Sequence, residues 1–210
     1  MKHLLLGAGL ALLPLSAAAQ AVNISGGVAV EAAYDLTANS GTEAEYPLSF
    51  YMQAEKNGFF GQLWFGTLPA TLAPDQVEID IAVGYSKELA SGLGVELAYW
   101  AYFLNETGYS TAEIIGTLSY GFTPKLSGSL EVGYDVEAEE TYTELGLDFA
   151  LTDKWSLQGV VAYETTFNKN YYELGVTYAI TEEVAFNVLY EASDVAGVND
   201  LLTFTMSYDF

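Results

Sequence analysis

The sequence predicts an all-β protein: a transmembrane up-and-down antiparallel barrel of 12 strands. Three observations carry that expectation. The stretch VEIDIAVGYSKEL (77–89) alternates strictly, with Val77, Ile79, Ile81, Val83 and Tyr85 on one side. Glu78, Asp80, Ala82, Gly84 and Ser86 take the other side, which is the two-residue period of a strand with one apolar and one polar face. The chain opens with Met1-Lys2-His3, an apolar run from Leu4 to Leu13, and the small residues Ala17-Ala18-Ala19. That is the plan of a secretory signal peptide, too short for a membrane span. The chain closes on LLTFTMSYDF, with Leu202, Phe204, Met206, Tyr208 and Phe210 in alternation.

Alternation alone does not say which face meets water. In a soluble sandwich the apolar face of 77–89 is core and its carboxylates are solvated. In a membrane barrel the apolar face meets lipid and the carboxylates point into the lumen. The leader, the strand count and the aromatic last residue favour the membrane barrel over a periplasmic sandwich or a lipocalin-like barrel.

Residues 1–19 read as a cleaved signal peptide and residues 20–210 as a single barrel domain. Strands are expected at 22–36, 46–56, 59–68, 77–89, 93–104, 112–122, 126–136, 141–151, 155–164, 171–180, 184–192 and 200–210. The third, FFGQLWFGTL, is apolar on both faces, so its sidedness stays open. Most are long enough for a tilted membrane strand of about 9–11 residues. Asn57-Gly58 is a type I′ hairpin signal, and tight turns are expected at 88–92, 123–125, 152–154 and 181–183. Longer polar segments lie between them at 37–45, 69–76, 105–108, 137–140, 165–170 and 193–199. Short turns at one end and longer loops at the other describe an outer-membrane meander. YTELGLDFALTDKWSLQ (142–158) and YYELGVTYAITEEVAFN (171–187) align without a gap at an offset of 29 residues, and FTPKLS (122–127) extends the turn of that register. Each unit is one hairpin, whereas a propeller blade needs four strands per repeat, which disfavours that reading.

Composition removes several function classes. There is no cysteine and no arginine, and the one histidine, His3, lies in the leader. Behind the leader, five lysines face 28 carboxylates, a net charge of −23. Nucleic acid is repelled by such a chain, while 14% aromatic residues exclude acidic disorder. A lipase of the Ser–His type lacks its base. Carboxylate pairs such as Glu78/Asp80 and Glu144/Asp148 recur as any polar face would make them, with no nucleophile, base and orienting group together. The acidic loops around Glu43/Glu45 and Glu137/Glu139/Glu140 lack the spacing of a calcium site and read as solvated. No enzyme, metal or cofactor is expected.

If the apolar faces meet lipid, the opposite parity lines the lumen. That set contains Glu31, Glu78, Asp80, Glu96, Glu113, Glu131, Asp135, Glu144, Asp148, Glu164, Glu173 and Glu191, with Glu55 beside them. No lysine belongs to it in mid-strand: Lys56, Lys87, Lys125 and Lys154 fall at short turns and Lys169 in a long loop. The short-turn half is lined mainly by small residues, such as Gly84, Ser86, Ser119, Ser129, Thr177 and Ala185. Such a lining concentrates cations and repels anions. Eight strands fill their interior and sixteen hold a channel, so twelve falls between. Trp100, Tyr102 and Ile115 share the inward parity and are candidates for a constriction.

The runs VEIDIAVGYSKEL, YSTAEIIGTLSYGFTPKLSGSLEVGYD and YTELG…DKWSLQGVVAY resemble the TorF-type porins, over residues 46 to 210. The resemblance implies a small bacterial outer-membrane barrel with passive transport and no established substrate. The family's Arg-Gly-containing segment after the first strand has no counterpart in AYDLTANSGTEAE. The sequence therefore leads to a porin-like channel for small solutes, preferring cations, in the bacterial outer membrane. Its partners are outer-membrane lipid, lipopolysaccharide and, through Phe210, the assembly machinery. The alternative from another class is a closed structural or adhesive barrel acting through its outer loops.

Overall fold

The computed structural model describes residues 22–36, 45–68, 73–165, 168–195 and 200–210. The expected signal peptide, residues 1–19, and residues 37–44 of the expected first loop lie outside them. The strands are β1 (Asn23–Asp35), β2 (Leu48–Lys56), β3 (Phe59–Thr67), β4 (Val77–Glu88), β5 (Leu93–Leu104) and β6 (Gly108–Thr123). β7 (Leu126–Asp135), β8 (Glu140–Ala150), β9 (Trp155–Glu164), β10 (Lys169–Ala179), β11 (Val184–Ser193) and β12 (Leu201–Asp209) complete them. Each pairs antiparallel with its neighbours in sequence, and β1 pairs with β12 to close the barrel. Closure leaves no strand edge unpaired, the condition for strands in an apolar medium.

The side-chain distribution settles which way the faces point. Mid-strand apolar residues lie on the outside: Val83 is 58% exposed, Leu97 60% and Leu174 61%. Among the described residues the buried apolar side chains are Phe60 and four alanines, Ala82, Ala98, Ala112 and Ala162. A water-soluble barrel needs the reverse, since burial of large apolar side chains is what drives folding in water. An apolar outer band of this extent is stable against lipid. Aromatic pairs rim the band at both ends. Phe59–Tyr85, Tyr120–Phe122, Trp155–Tyr178 and Tyr208–Phe210 form the turn-side girdle, and Phe103–Tyr109 belongs to the loop side. Lys154 lies over the Tyr178 ring at 5.7 Å, an interfacial cation–π contact.

The 29-residue repeat is structural. β8 and β9, shifted by 29, give the bounds of β10 and β11. Thr123, Thr152 and Thr181 recur at the same offset, and each hydroxyl accepts from the backbone N–H groups two and three residues on. A hydroxyl turn cap thus fixes three turns alike. At the hairpin 57–58, Asn57 (φ 55°) and Gly58 (φ 84°) both adopt the left-handed conformation of a type I′ turn.

Two expectations about the loop end need correction. The connections 105–107, 136–139 and 165–168 are as short as the turns opposite, because β6 starts at Gly108 and β10 at Lys169. Longer connections remain only after β1, β3 and β11. Lys169 is therefore not a loop residue. It begins β10 with inward parity and lies 4.0 Å from Glu164.

A path of directly paired residues shows the strand tilt. It runs Asn23, Glu55, Phe60, Gly84, Ala98, Ile115, Gly133, Tyr142, Glu164, Lys169. The path starts at the turn end of β1 and arrives at the loop end of β10. Twelve strands about 4.8 Å apart at a tilt of roughly 40–45° make a backbone cylinder of roughly 12 Å radius.

Candidate functional site: the acidic lumen wall

Every acidic residue expected on the inner face has the parity opposite to the exposed apolar side chains of its strand. The tilt then brings several of them to one level. Glu173 pairs directly with Glu191, and Glu131 with Glu144. Electrostatic contacts link the rest: Glu191 with Glu31 across β12, Glu144 with Glu173 across β9, Glu113 with Glu131, and Asp80 with Glu113. The outcome is a continuous run of like charge from Asp80 through Glu113, Glu131, Glu144, Glu173 and Glu191 to Glu31. It covers the wall from β4 round to β1. Only the β2–β3 sector interrupts it, with Tyr51, Gln53, Gln62 and Trp64 facing inward.

Hydroxyl donors on neighbouring strands hold these carboxylates in place. Tyr102 Oη donates to Glu113 at 2.8 Å, and Tyr142 Oη and Thr117 Oγ1 donate to the two oxygens of Glu131, each at 3.0 Å. Thr203 donates to Glu191 at 3.3 Å. Hydrogen bonding to an ionised acceptor is worth more than a neutral pair, so the wall fixes its charges without supplying counter-charge. Tyr142 can lie flat because its partner across the ladder is Gly133. A Cβ there would overlap the tyrosine ring. Phe60 lies over Gly84 in the same way.

The remaining expected residues divide by height. Glu78 sits above Asp80 towards the loops. Asp135 lies there too, but its carboxylate caps a turn, accepting from the N–H groups of Glu137 and Ala138 and from the Thr111 hydroxyl. Glu164, near the mouth, receives Tyr171 Oη at 3.3 Å and Lys169. Glu96 and Asp148 occupy the turn-side half, Glu96 beside Glu131 and Glu55, Asp148 exposed opposite Ser127. Of the candidates for a constriction, Trp100 packs on the Phe60–Ala82–Ala98 cluster. Tyr102 stacks on it with centroids 6.5 Å apart and 15° between planes.

Sequence reasoning missed several wall residues. Phe60 and Trp64 are inward, resolving the two-faced third strand, whose Phe59 and Leu63 are the exposed side. The sequence pattern reads Glu140 as a solvated loop residue, yet it is buried at the start of β8, paired with Asp135. Both Glu140 and Lys169 continue the inward parity of their strands, and they are equivalent positions of the 29-residue repeat. That signal could have found them. Outside the wall, Asp75 ties the connection after β3 to the β5–β6 turn. It accepts from the backbone N–H groups of Glu106 and Thr107 and from the Thr107 hydroxyl.

No family model matches the chain, and no curated protein matches it in sequence. The TorF-type resemblance therefore rests on the quoted motifs. Solved structures do match. The chain is similar to the KdgM porin, with a TM-score of 0.70 at 10% identity over 88% of this chain and 99% of that one. It is similar to the NanC porin, with a TM-score of 0.64 at 12% identity over 86% and 98%. A mutant of the Rh. blastica porin gives a TM-score of 0.53 at 10% identity over 90% and 100%. At such identities the likeness is one of architecture: the chain has the fold of a porin-type barrel.

Proposed function

We propose that the protein is a porin-like channel of the bacterial outer membrane, passing small solutes by diffusion and preferring cations. The observation that carries the reading is the run of seven carboxylates around an inner wall whose outside is apolar. An acidic ring in a narrow aqueous passage raises the local cation concentration and depletes anions. Phe210 fits the role of assembly signal. Its backbone continues the ladder to Gly26 in both directions, at 2.9 and 2.8 Å, and its ring covers that glycine. Lipid against the apolar band and lipopolysaccharide at the loop end complete the expected surroundings, with residues 1–19 as the export signal.

The test is planar-bilayer recording of the refolded barrel across a KCl gradient. The reading requires discrete conductance steps and a reversal potential on the potassium side. A chloride-side potential overturns the cation preference. Absence of any conductance overturns the channel and leaves the closed barrel acting through its loops.

A further inference from the structure

We propose that Asp80, set in the lumen wall between Trp64 and Tyr102, forms a recognition site for small organic cations bearing a primary ammonium or guanidinium group. Asp80 is 4% exposed, and its Oδ1 lacks a hydrogen-bond partner. A buried carboxylate is ordinarily paired, because an unpaired one carries the full cost of desolvation. Among the described residues this chain supplies no such partner. It has no arginine, and its described lysines, Lys56, Lys87, Lys125, Lys154 and Lys169, lie at the turns or at the start of β10. The neighbours of Asp80 add negative charge, Glu78 on its own strand and Glu113 on β6.

The flanking residues select the kind of cation. Trp64 and Tyr102 are the direct ladder partners of Asp80 on β3 and β5. The Trp64 ring lies over Gly66, the partner of Glu78, and so spans the ladder levels of Asp80 and Glu78. Trp100 stacks under Tyr102 on the other side. Aromatic faces beside a carboxylate favour a cation with weak hydration and an apolar body. Among the described residues no three carboxylates converge where a metal ion could be held, so the geometry suits an ammonium or guanidinium head. The proposal rests on the channel reading in one respect: the ligand reaches Asp80 from the lumen.

The experiment has a readout independent of conductance. The chain has three tryptophans, and Trp155 lies on the outer girdle, so a Trp155→Phe background leaves Trp64 and Trp100 as reporters. The refolded full-length barrel in micelles is titrated with n-butylammonium chloride and ethylguanidinium chloride at constant ionic strength, against NaCl. The expected result is a saturable fluorescence change with both organic cations and none with sodium. Asp80→Asn should weaken the apparent affinity at least tenfold, Trp64→Leu should weaken it less, and Asp80→Glu should restore part of it. Gel mobility before and after heating confirms that each variant is a folded barrel. Unchanged affinity in folded Asp80→Asn, or an equal response to sodium, overturns the site. Saturable, Asp80-dependent binding in a barrel without conductance overturns the channel and keeps the site; cation-selective conductance without saturable binding does the opposite.

Discussion

Replacing Glu144, Glu173 and Glu191 together by glutamine removes three adjacent charges of the acidic run while keeping side-chain size. With a backbone radius of roughly 12 Å, their carboxylates stand roughly 8 Å from the barrel axis. A unit charge at 8 Å in water contributes about 0.5 kcal/mol, and screening at 0.1 M salt cuts that to about 0.2 kcal/mol. With all seven ionised, such charges hold a cation on the axis by about 1.6 kcal/mol, and the three substitutions then remove about 0.7 kcal/mol. The cation-to-anion permeability ratio feels the potential twice, with opposite signs, so it should fall about tenfold. At 1 M salt the Debye length is near 3 Å, and the same substitutions should change the ratio by less than about twofold. The assay is the reversal potential across matched KCl gradients at both ionic strengths, with single-channel conductance confirming an intact pore. A ratio unmoved at 0.1 M salt would mean the carboxylates do not face the permeation path. A change equally large at 1 M would mean the effect is structural.

Two further outcomes follow from other parts of the wall and rim. Gly133→Ala places a methyl group where the Tyr142 ring lies, so the ring must swing inward and release Glu131. This should destabilise the barrel by about 1–3 kcal/mol and lower single-channel conductance, and an unchanged conductance would show that Tyr142 has room on the wall. At the rim, the Asn170 side-chain amide and backbone N–H both donate to Asp194 and hold its carboxyl below the usual carboxylate range. A lowered folded value means the tie contributes fully above the unfolded pKa and is lost as pH falls through the lowered one. Carbon-detected titration of Asp194 should therefore place its midpoint below that of a free aspartate, and a midpoint at the ordinary value contradicts the tie.

Much of this was legible in the sequence. The period-2 pattern of residues such as Val77 to Tyr85 fixed strand positions, and parity alone put Glu78, Asp80, Glu144 and Glu173 on one face. Asn57-Gly58 named its turn type, and the Thr123–Thr152–Thr181 spacing is a repeat in sequence and in turn geometry alike. These are local properties, set by backbone sterics and by neighbours a few residues away. Periodicity could not orient FFGQLWFGTL, because both its faces are apolar. Only the closed sheet sent Phe60 and Trp64 inward, where Gly84 and Gly66 leave space for their rings. Nor could it level the carboxylates. Glu31 and Glu191 are 160 residues apart in the chain, and their approach depends on strand tilt accumulated over the whole circuit. Register and closure are collective, so the acidic run and the buried Asp80 belong to the tertiary structure. The alternation that places each charge on the inner face belongs to the sequence.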